Sequence, residues 1–206
     1  MQKTYQCILS AATIAIGFSM TGVAGAKVSE QTLKNLNTAF QGESNAANKY
    51  GKFAEKAAAE GNGQVAKLFR AAAAAEAIHR DTHKATIIEL GGTPATFELE
   101  AVEPGTTADN LGAAIKGETY ERDIMYPGFL NTAKADDSAP AMRTIEFALT
   151  AEKEHAKLYQ DALDNIGKNA KADYYVCQVC GMTVTVLPEK KCRSCRQPRD
   201  KYKMIS

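Results

Sequence analysis

The sequence predicts an all-α four-helix bundle followed by a small β-rich metal domain. Three observations carry this. Four segments repeat apolar residues at helical spacing, and each of these stripes is broken near its middle by Glu or His. Four of the five cysteines then fall in the last thirty residues, as two Cys-x-x-Cys pairs.

The elements before the bundle come first. The 206 residues suit one or two domains, with ordinary apolar and charged fractions. The 25 basic and 24 acidic residues leave no charge excess that would suit nucleic acid or an anionic membrane. Residues 1–26 read as a signal peptide. Lys3 is their only charge, residues 7–18 are apolar, and Ala24-Gly25-Ala26 is a small-residue cleavage site before Lys27. A retained membrane anchor is the alternative, but the apolar run is short for a span. Cleavage removes Cys7 and leaves 24 basic and 24 acidic residues. No twin-Arg pair precedes the apolar run, so the chain is expected to be exported unfolded. It would then be periplasmic, free of the membrane, and loaded with metal outside the cytoplasm.

Residues 27–167 carry the four stripes. The first is Leu33, Leu36, Phe40, Glu43, Ala47, Tyr50, Ala54 and Ala57; the second is Val65, Phe69, Ala72, Glu76, His79, His83, Thr86 and Leu90. The third is Leu111, Ala114, Glu118, Glu121 and Met125; the fourth is Met142, Ile145, Leu149, Glu152, Ala156, Tyr159, Leu163 and Ile166. Such stripes face the interior of a bundle. An acid there is costly unless it binds a cation or is neutralised. Gly61-Asn62-Gly63 is a tight turn, so the first two helices form an antiparallel hairpin. Residues 91–109 are a link long enough to run the length of the bundle. Ser138 is the expected N-cap of the last helix, and Pro127 should kink the third just past its acids. Glu43 precedes the Glu76-x-x-His79 motif by 33 positions, and Glu118 precedes Glu152-x-x-His155 by 34. Two hairpins related by a pseudo-two-fold axis would bring these groups together.

Positions i and i+3 share a helix face, so Glu76 pairs with His79, Glu118 with Glu121, and Glu152 with His155. With Glu43 they form a box of carboxylates and imidazoles suited to two iron or manganese ions. A single Glu-x-x-His would be an exposed-helix coincidence; two copies, each with an upstream Glu, on apolar stripes are not. His83 reads as a buried histidine beside the site rather than a ligand. Glu154 lies off the stripe and belongs at the surface.

Residues 168–206 are a polar linker and a short β-rich unit too small to hold itself together by burial. Cys177-x-x-Cys180 and Cys192-x-x-Cys195, eleven residues apart, form two knuckles of one tetrahedral site. Spacing alone favours structural zinc; the di-metal box upstream favours mononuclear iron. Gly181 follows the first knuckle. Arg196 follows the second, where it must adopt a turn that Gly takes freely.

These motifs together resemble rubrerythrin over essentially the whole mature chain. The resemblance rests on Gly42-Glu43-Ser44 with Tyr50, the Ala75–His79 run, Glu118-Thr119-Tyr120-Glu121 with Met125-Tyr126-Pro127, and the Ala151–His155 run. It implies a ferritin-like di-iron domain and a rubredoxin-like domain holding one iron, with zinc the alternative. Glu43, Glu76, Glu118, Glu121, Glu152 and His155 would be iron ligands, with one iron moving between Glu121 and His79 as its redox state changes. Tyr50 and Tyr126 match tyrosines beside the metals, either as packing residues or as parts of the catalytic apparatus with Glu121. The implied activity is reduction of hydrogen peroxide to water. A separate protein would donate the electrons, in a homodimer whose small domains serve each other's di-iron sites. A ferritin-like ferroxidase and a zinc-tailed redox sensor are the competing readings.

Overall fold

In the computed structural model, which describes residues 28–206, the bundle begins at Ser29; the signal peptide expected in residues 1–26 lies outside the described residues. Ser29 Oγ accepts from the Thr32 amide at 3.2 Å and so caps α1, Glu30–Ala59. Its amide and hydroxyl donate to Asp136 at 2.9 and 2.5 Å, tying the start of α1 to a turn more than a hundred residues later. Gly61, at φ 79°, reverses the chain into α2, Gly63–Glu89, which completes the expected hairpin.

The link to the second hairpin runs alongside α1. Asn37 Oδ1 accepts from the Ala95 amide at 2.6 Å, Asn45 Oδ1 from the Glu100 amide at 3.1 Å, and Asn48 donates to the Glu100 carbonyl at 3.3 Å. Three asparagines on one helix thus satisfy the backbone of a link that has no partner strand. Thr106 and Asp109 form a reciprocal capping box that opens α3, Thr107–Tyr120.

The kink expected in the third helix takes a particular form. Residues Glu121–Met125 make a π-helical turn in which the Tyr126 amide reaches back to the Glu121 carbonyl, and α4, Tyr126–Ala135, follows. Pro127 has no N–H to give, and its ring crowds the carbonyl four residues back; the wider turn relieves both. The distortion therefore sits on Glu121 itself. Ser138 precedes α5, Ala139–Asp164, but its side chain makes no capping hydrogen bond and its Oγ is buried without a partner. Ile166, the last residue of the fourth stripe, falls past the end of α5 and is exposed.

Two apolar clusters fill the bundle, and the ionisable layer lies between them. One gathers Tyr50, Phe53, Leu68, Phe69, Leu111 and Tyr159; the other gathers Leu36, Phe40, Ile87, Tyr126 and Ile145. No helix among the described residues is long and apolar enough to cross a membrane.

The small domain is a three-stranded antiparallel sheet of order β2-β1-β3, with β1 Tyr174–Cys177, β2 Thr183–Val184 and β3 Tyr202–Ile205. The sheet packs on α2 and α5 of the same chain. Tyr174 and Val176 join the first apolar cluster, Gln64 donates to the Ala172 carbonyl at 2.9 Å, and Arg70 donates to the Ser206 carbonyl at 2.7 Å. Within the chain, these clips hold the linker and the C-terminus down beside α2.

Arg196 adopts φ 61°, a left-handed conformation that costs a non-glycine residue about 1 kcal/mol or more. Arg196→Gly is expected to slow loss of metal from the cysteine site to a chelator and to raise the thermal midpoint of the small domain.

Candidate metal centre

Glu43, Glu76, His79, Glu118, Glu152 and His155 converge at the middle of the bundle, each at most 1 % exposed. α1 supplies Glu43, α3 supplies Glu118, and α2 and α5 each supply one Glu-x-x-His pair. Their ligand atoms fall into two groups of four, Glu43–Glu76–His79–Glu152 and Glu76–Glu118–Glu152–His155, each with all atoms within 4.8 Å of one another. The groups share Glu76 and Glu152. Glu76 and Glu152, one from each hairpin, would be the carboxylates common to two cation sites, in line with the pseudo-two-fold relation read from the spacing.

Both imidazoles turn Nδ1 inward. His79 Nδ1 lies 2.8 Å from Glu76 and 3.2 Å from Glu152; His155 Nδ1 lies 2.9 Å from Glu152 and 3.1 Å from Glu76. Both turn Nε2 toward the small domain. His79 Nε2 donates to the Cys180 carbonyl at 3.1 Å, and His155 Nε2 to Thr183 Oγ1 at 2.9 Å. A histidine that donates from Nε2 presents its Nδ1 lone pair to a metal. The small domain thus supplies the outer partner of both rings. Gly181 makes this approach feasible: at φ 73°, a Cβ there would sit 2.2 Å from His79 Nε2.

The electrostatics are those of a box with too much negative charge. Burial, then the charges of Glu76 and Glu152, raise the Glu43 carboxyl well above its ordinary range. Burial, then Glu152 and Glu76, raise Glu118 to about 8. Burial opposes the charged forms of His79 and His155, but the surrounding carboxylates outweigh it and raise both rings. Burial likewise works against ionised Glu152, yet the two imidazoles hold it low. Without metal, protons do the neutralising. Even so, one oxygen each of Glu43, Glu76, Glu118 and Glu152 is buried with no hydrogen-bond partner. A buried carboxylate oxygen in that state is costly, and a cation is the group that offsets it. These donors fit a pair of hard divalent ions, iron or manganese.

Glu121 stands apart. It lies on the π-helical turn, half-buried, outside both groups of four. Burial and the nearby Glu43 and Glu118 raise its carboxyl well above its ordinary range. Both expected tyrosines touch ligand carboxylates: Tyr50 OH donates to Glu118 at 2.5 Å, and Tyr126 OH donates to Glu43. Glu154 lies near the surface, as expected, and pairs with Arg193 of the small domain. His83 is fully buried and touches Tyr126 rather than the ligands.

The second site is equally well formed. Cys177, Cys180, Cys192 and Cys195 are free thiols whose sulfurs all lie within 4.8 Å of one another. Cys177 and Cys195 are 3.6 Å apart, Cys180 and Cys192 3.7 Å. A tetrahedron with metal–sulfur bonds of about 2.3 Å has edges of about 3.8 Å, so the cage fits one ion. Tyr202 OH donates to Cys192 Sγ at 3.1 Å. Sequence reasoning missed Thr183, because nothing in a lone threonine after a knuckle shows which histidine it will meet.

Known proteins resemble this chain. A family model described as rubrerythrin matches residues 34–163. Rubrerythrin-2 of Clostridium acetobutylicum is 36% identical over 171 residues, covering 81% of this chain and 92% of its own length. Nigerythrin of Nitratidesulfovibrio vulgaris is 33% identical, covering 83% and 85%. The solved all-ferrous, fully reduced state of nigerythrin superposes with a TM-score of 0.76 at 30% identity, over 97% of this chain and all of that one. A Mycobacterium tuberculosis bacterioferritin superposes with a TM-score of 0.62 at 19% identity over 67% of this chain and 87% of that one, a likeness of fold alone.

The raised Glu118 has a signed consequence. A carboxyl whose folded pKa exceeds its unfolded value adds stability below the unfolded value and loses it as pH rises through the folded one. The metal-free protein is therefore expected to lose thermal stability between pH 4.5 and about 8 from this group, a loss that bound metal removes. Melting curves with and without metal across that window check it.

Proposed function

The chain belongs to the rubrerythrin family, and on that premise we propose that it is a peroxide reductase, converting hydrogen peroxide to water. The observation that carries this is the pair of four-ligand groups sharing Glu76 and Glu152, with the tetracysteine domain hydrogen-bonded to both outward imidazole nitrogens. When bound, two irons in the box supply one electron each and Lewis acidity toward the peroxide oxygens, and an iron among the four cysteines supplies the replacement electrons.

The chain's own residues do the rest. Glu43, Glu76, Glu118, Glu152, His79 and His155 would hold the pair, and Glu121 would be the alternative ligand to His79. Glu121 opens a π-helical turn, a departure from regular α-helical bonding that is frequent at functional sites. Tyr126 and Tyr50 keep Glu43 and Glu118 oriented and hold a proton next to each carboxylate. The apolar clusters on either side exclude water from the box. The carbonyl of Cys180 on His79 Nε2 gives electrons a route of one hydrogen bond from the cysteine cage to a ligand.

The proposal extends to the partners and setting. Residues 1–26 send the chain to the periplasm, where it works in oxidative-stress protection without membrane attachment or nucleic acid. It forms a homodimer, for which exposed Tyr120 and Ile124, one turn apart, offer an apolar contact. Electrons come from a separate donor protein. Cys195 is the cysteine of the four that reaches solvent, and Lys190, Lys191, Arg193, Arg196 and Arg199 around it are all exposed. Among the described residues only Arg193 of these five has an ion-pair partner. Such a collar favours an acidic one-electron carrier.

Reduced, iron-loaded protein is expected to consume one peroxide per di-iron site, with both irons oxidised; stopped-flow spectra with metal analysis check this. Reduction by an acidic donor protein is expected to slow steeply with rising salt, and Lys191→Glu with Arg199→Glu to abolish that salt dependence, read as initial rates from low to 0.5 M salt.

A further inference from the structure

A line of hydrogen bonds leads from the metal box to the surface. Tyr126 OH donates to Glu43; His83 Nε2 is 3.1 Å from Tyr126 OH; His83 Nδ1 is 3.0 Å from Thr144 Oγ1; Thr144 Oγ1 is 3.2 Å from Thr82 Oγ1. Tyr126, His83 and Thr144 are buried, while Thr82 is partly exposed. Thr82 and Thr144 line a cleft with Arg143, Phe147 and Val179, where α2, α5 and the small domain meet. We infer that Thr82, Thr144 and His83 carry protons from this cleft to Tyr126 at the metal box. The inference rests on the peroxide reading above, since reducing one peroxide to two waters takes up two protons along with the two electrons.

The geometry permits transfer because every link can point either way. In one setting Tyr126 donates to Glu43, His83 Nε2–H donates to Tyr126, Thr144 donates to His83 Nδ1, and Thr82 donates to Thr144. In the other, Tyr126 donates to His83 Nε2, Nδ1–H donates to Thr144, Thr144 to Thr82, and Thr82 to the His79 carbonyl, which it reaches at 2.9 Å. Passing from the first setting to the second moves one proton inward. Tyr126 passes its proton to the Glu43 carboxylate and is refilled from Nε2, Nδ1 takes the Thr144 proton, and Thr144 is refilled from Thr82. A solvent proton relayed by a water in the cleft restores Thr82, so the net change is one proton taken from solvent and one delivered to the box. Every bond broken is an O–H or N–H, and one of the same kind forms at the next link. No link acquires a charge, because the ring changes only its tautomer. Burial is the largest cause of the lowered His83 pKa, and it favours the neutral ring. Any buried histidine needs a partner on each ring nitrogen, but packing alone does not call for a second hydroxyl that continues the line to solvent.

The test separates the path from the reaction. In full-length protein with zinc in its metal sites, which is diamagnetic, NMR reads exchange of the His83 ring proton with solvent. Thr144→Val keeps the shape and removes the link, and is expected to slow this exchange about tenfold or more; Thr144→Ser restores it. Thr82→Val, at the partly exposed end, gives the same result should Thr144→Val not fold. Peroxide oxidation of the reduced iron form is expected to slow about 100-fold in the valine variants and to recover in Thr144→Ser. Unchanged exchange in the valine variants overturns the path whatever the peroxide rate. Exchange that follows the hydroxyls in a protein that consumes no peroxide overturns the peroxide reading and leaves the path standing.

Discussion

Four carboxylates and two imidazoles sit within a few ångströms of one another, shut away from water between two apolar clusters. Their mutual repulsion and desolvation are the constraint around which the rest of the molecule is arranged. A group of this kind is tolerated in a helical core only when something positive occupies its centre. Protons fill that role in part: Glu43 and Glu118 are pushed toward the neutral acid and His79 and His155 toward the cation. They leave four oxygens unsatisfied, which a pair of metal ions would not. The same two carboxylates, Glu76 and Glu152, serve both halves, so neither hairpin has a complete site alone.

The cysteine domain is part of that solution rather than an appendage. Its first knuckle presents the Cys180 carbonyl and Thr183 hydroxyl to the two outward-facing ring nitrogens. A bundle without it would leave both Nε2–H groups to water, or buried and unpaired. Gly181 is the point where the fit is tightest, with no room for a side chain between backbone and imidazole. The two domains are therefore coupled through the orientation of the two imidazoles.

The far side of the box has its own organisation. Tyr126 lies between Glu43 and His83, and His83 lies between Tyr126 and Thr144. The small domain meets the box at His79, while the polar line through His83 opens on a cleft beside it. The π-helical turn lies at this end too, directly before Tyr126, whose amide donates back to the Glu121 carbonyl.

By itself the sequence determined the four helices, the antiparallel hairpins, the candidate ligands and the cysteine knuckles. Each of these follows from a period or a spacing along the chain, and an acid on an apolar stripe is visible without coordinates. The long link was also legible as a link, but not its attachment to α1 through Asn37, Asn45 and Asn48, since asparagines on an exposed face carry no such label. Pro127 announced a distortion without saying that Glu121 would lie on a π-helical turn outside both ligand groups. Only the tertiary structure decided that Glu76 and Glu152 are the shared carboxylates, that the small domain clamps both imidazoles, and that His83 joins Tyr126 to Thr144. Those relations are made across 28 to 101 positions of chain, by side chains whose directions depend on packing, and no periodicity in a sequence encodes which two distant groups will meet.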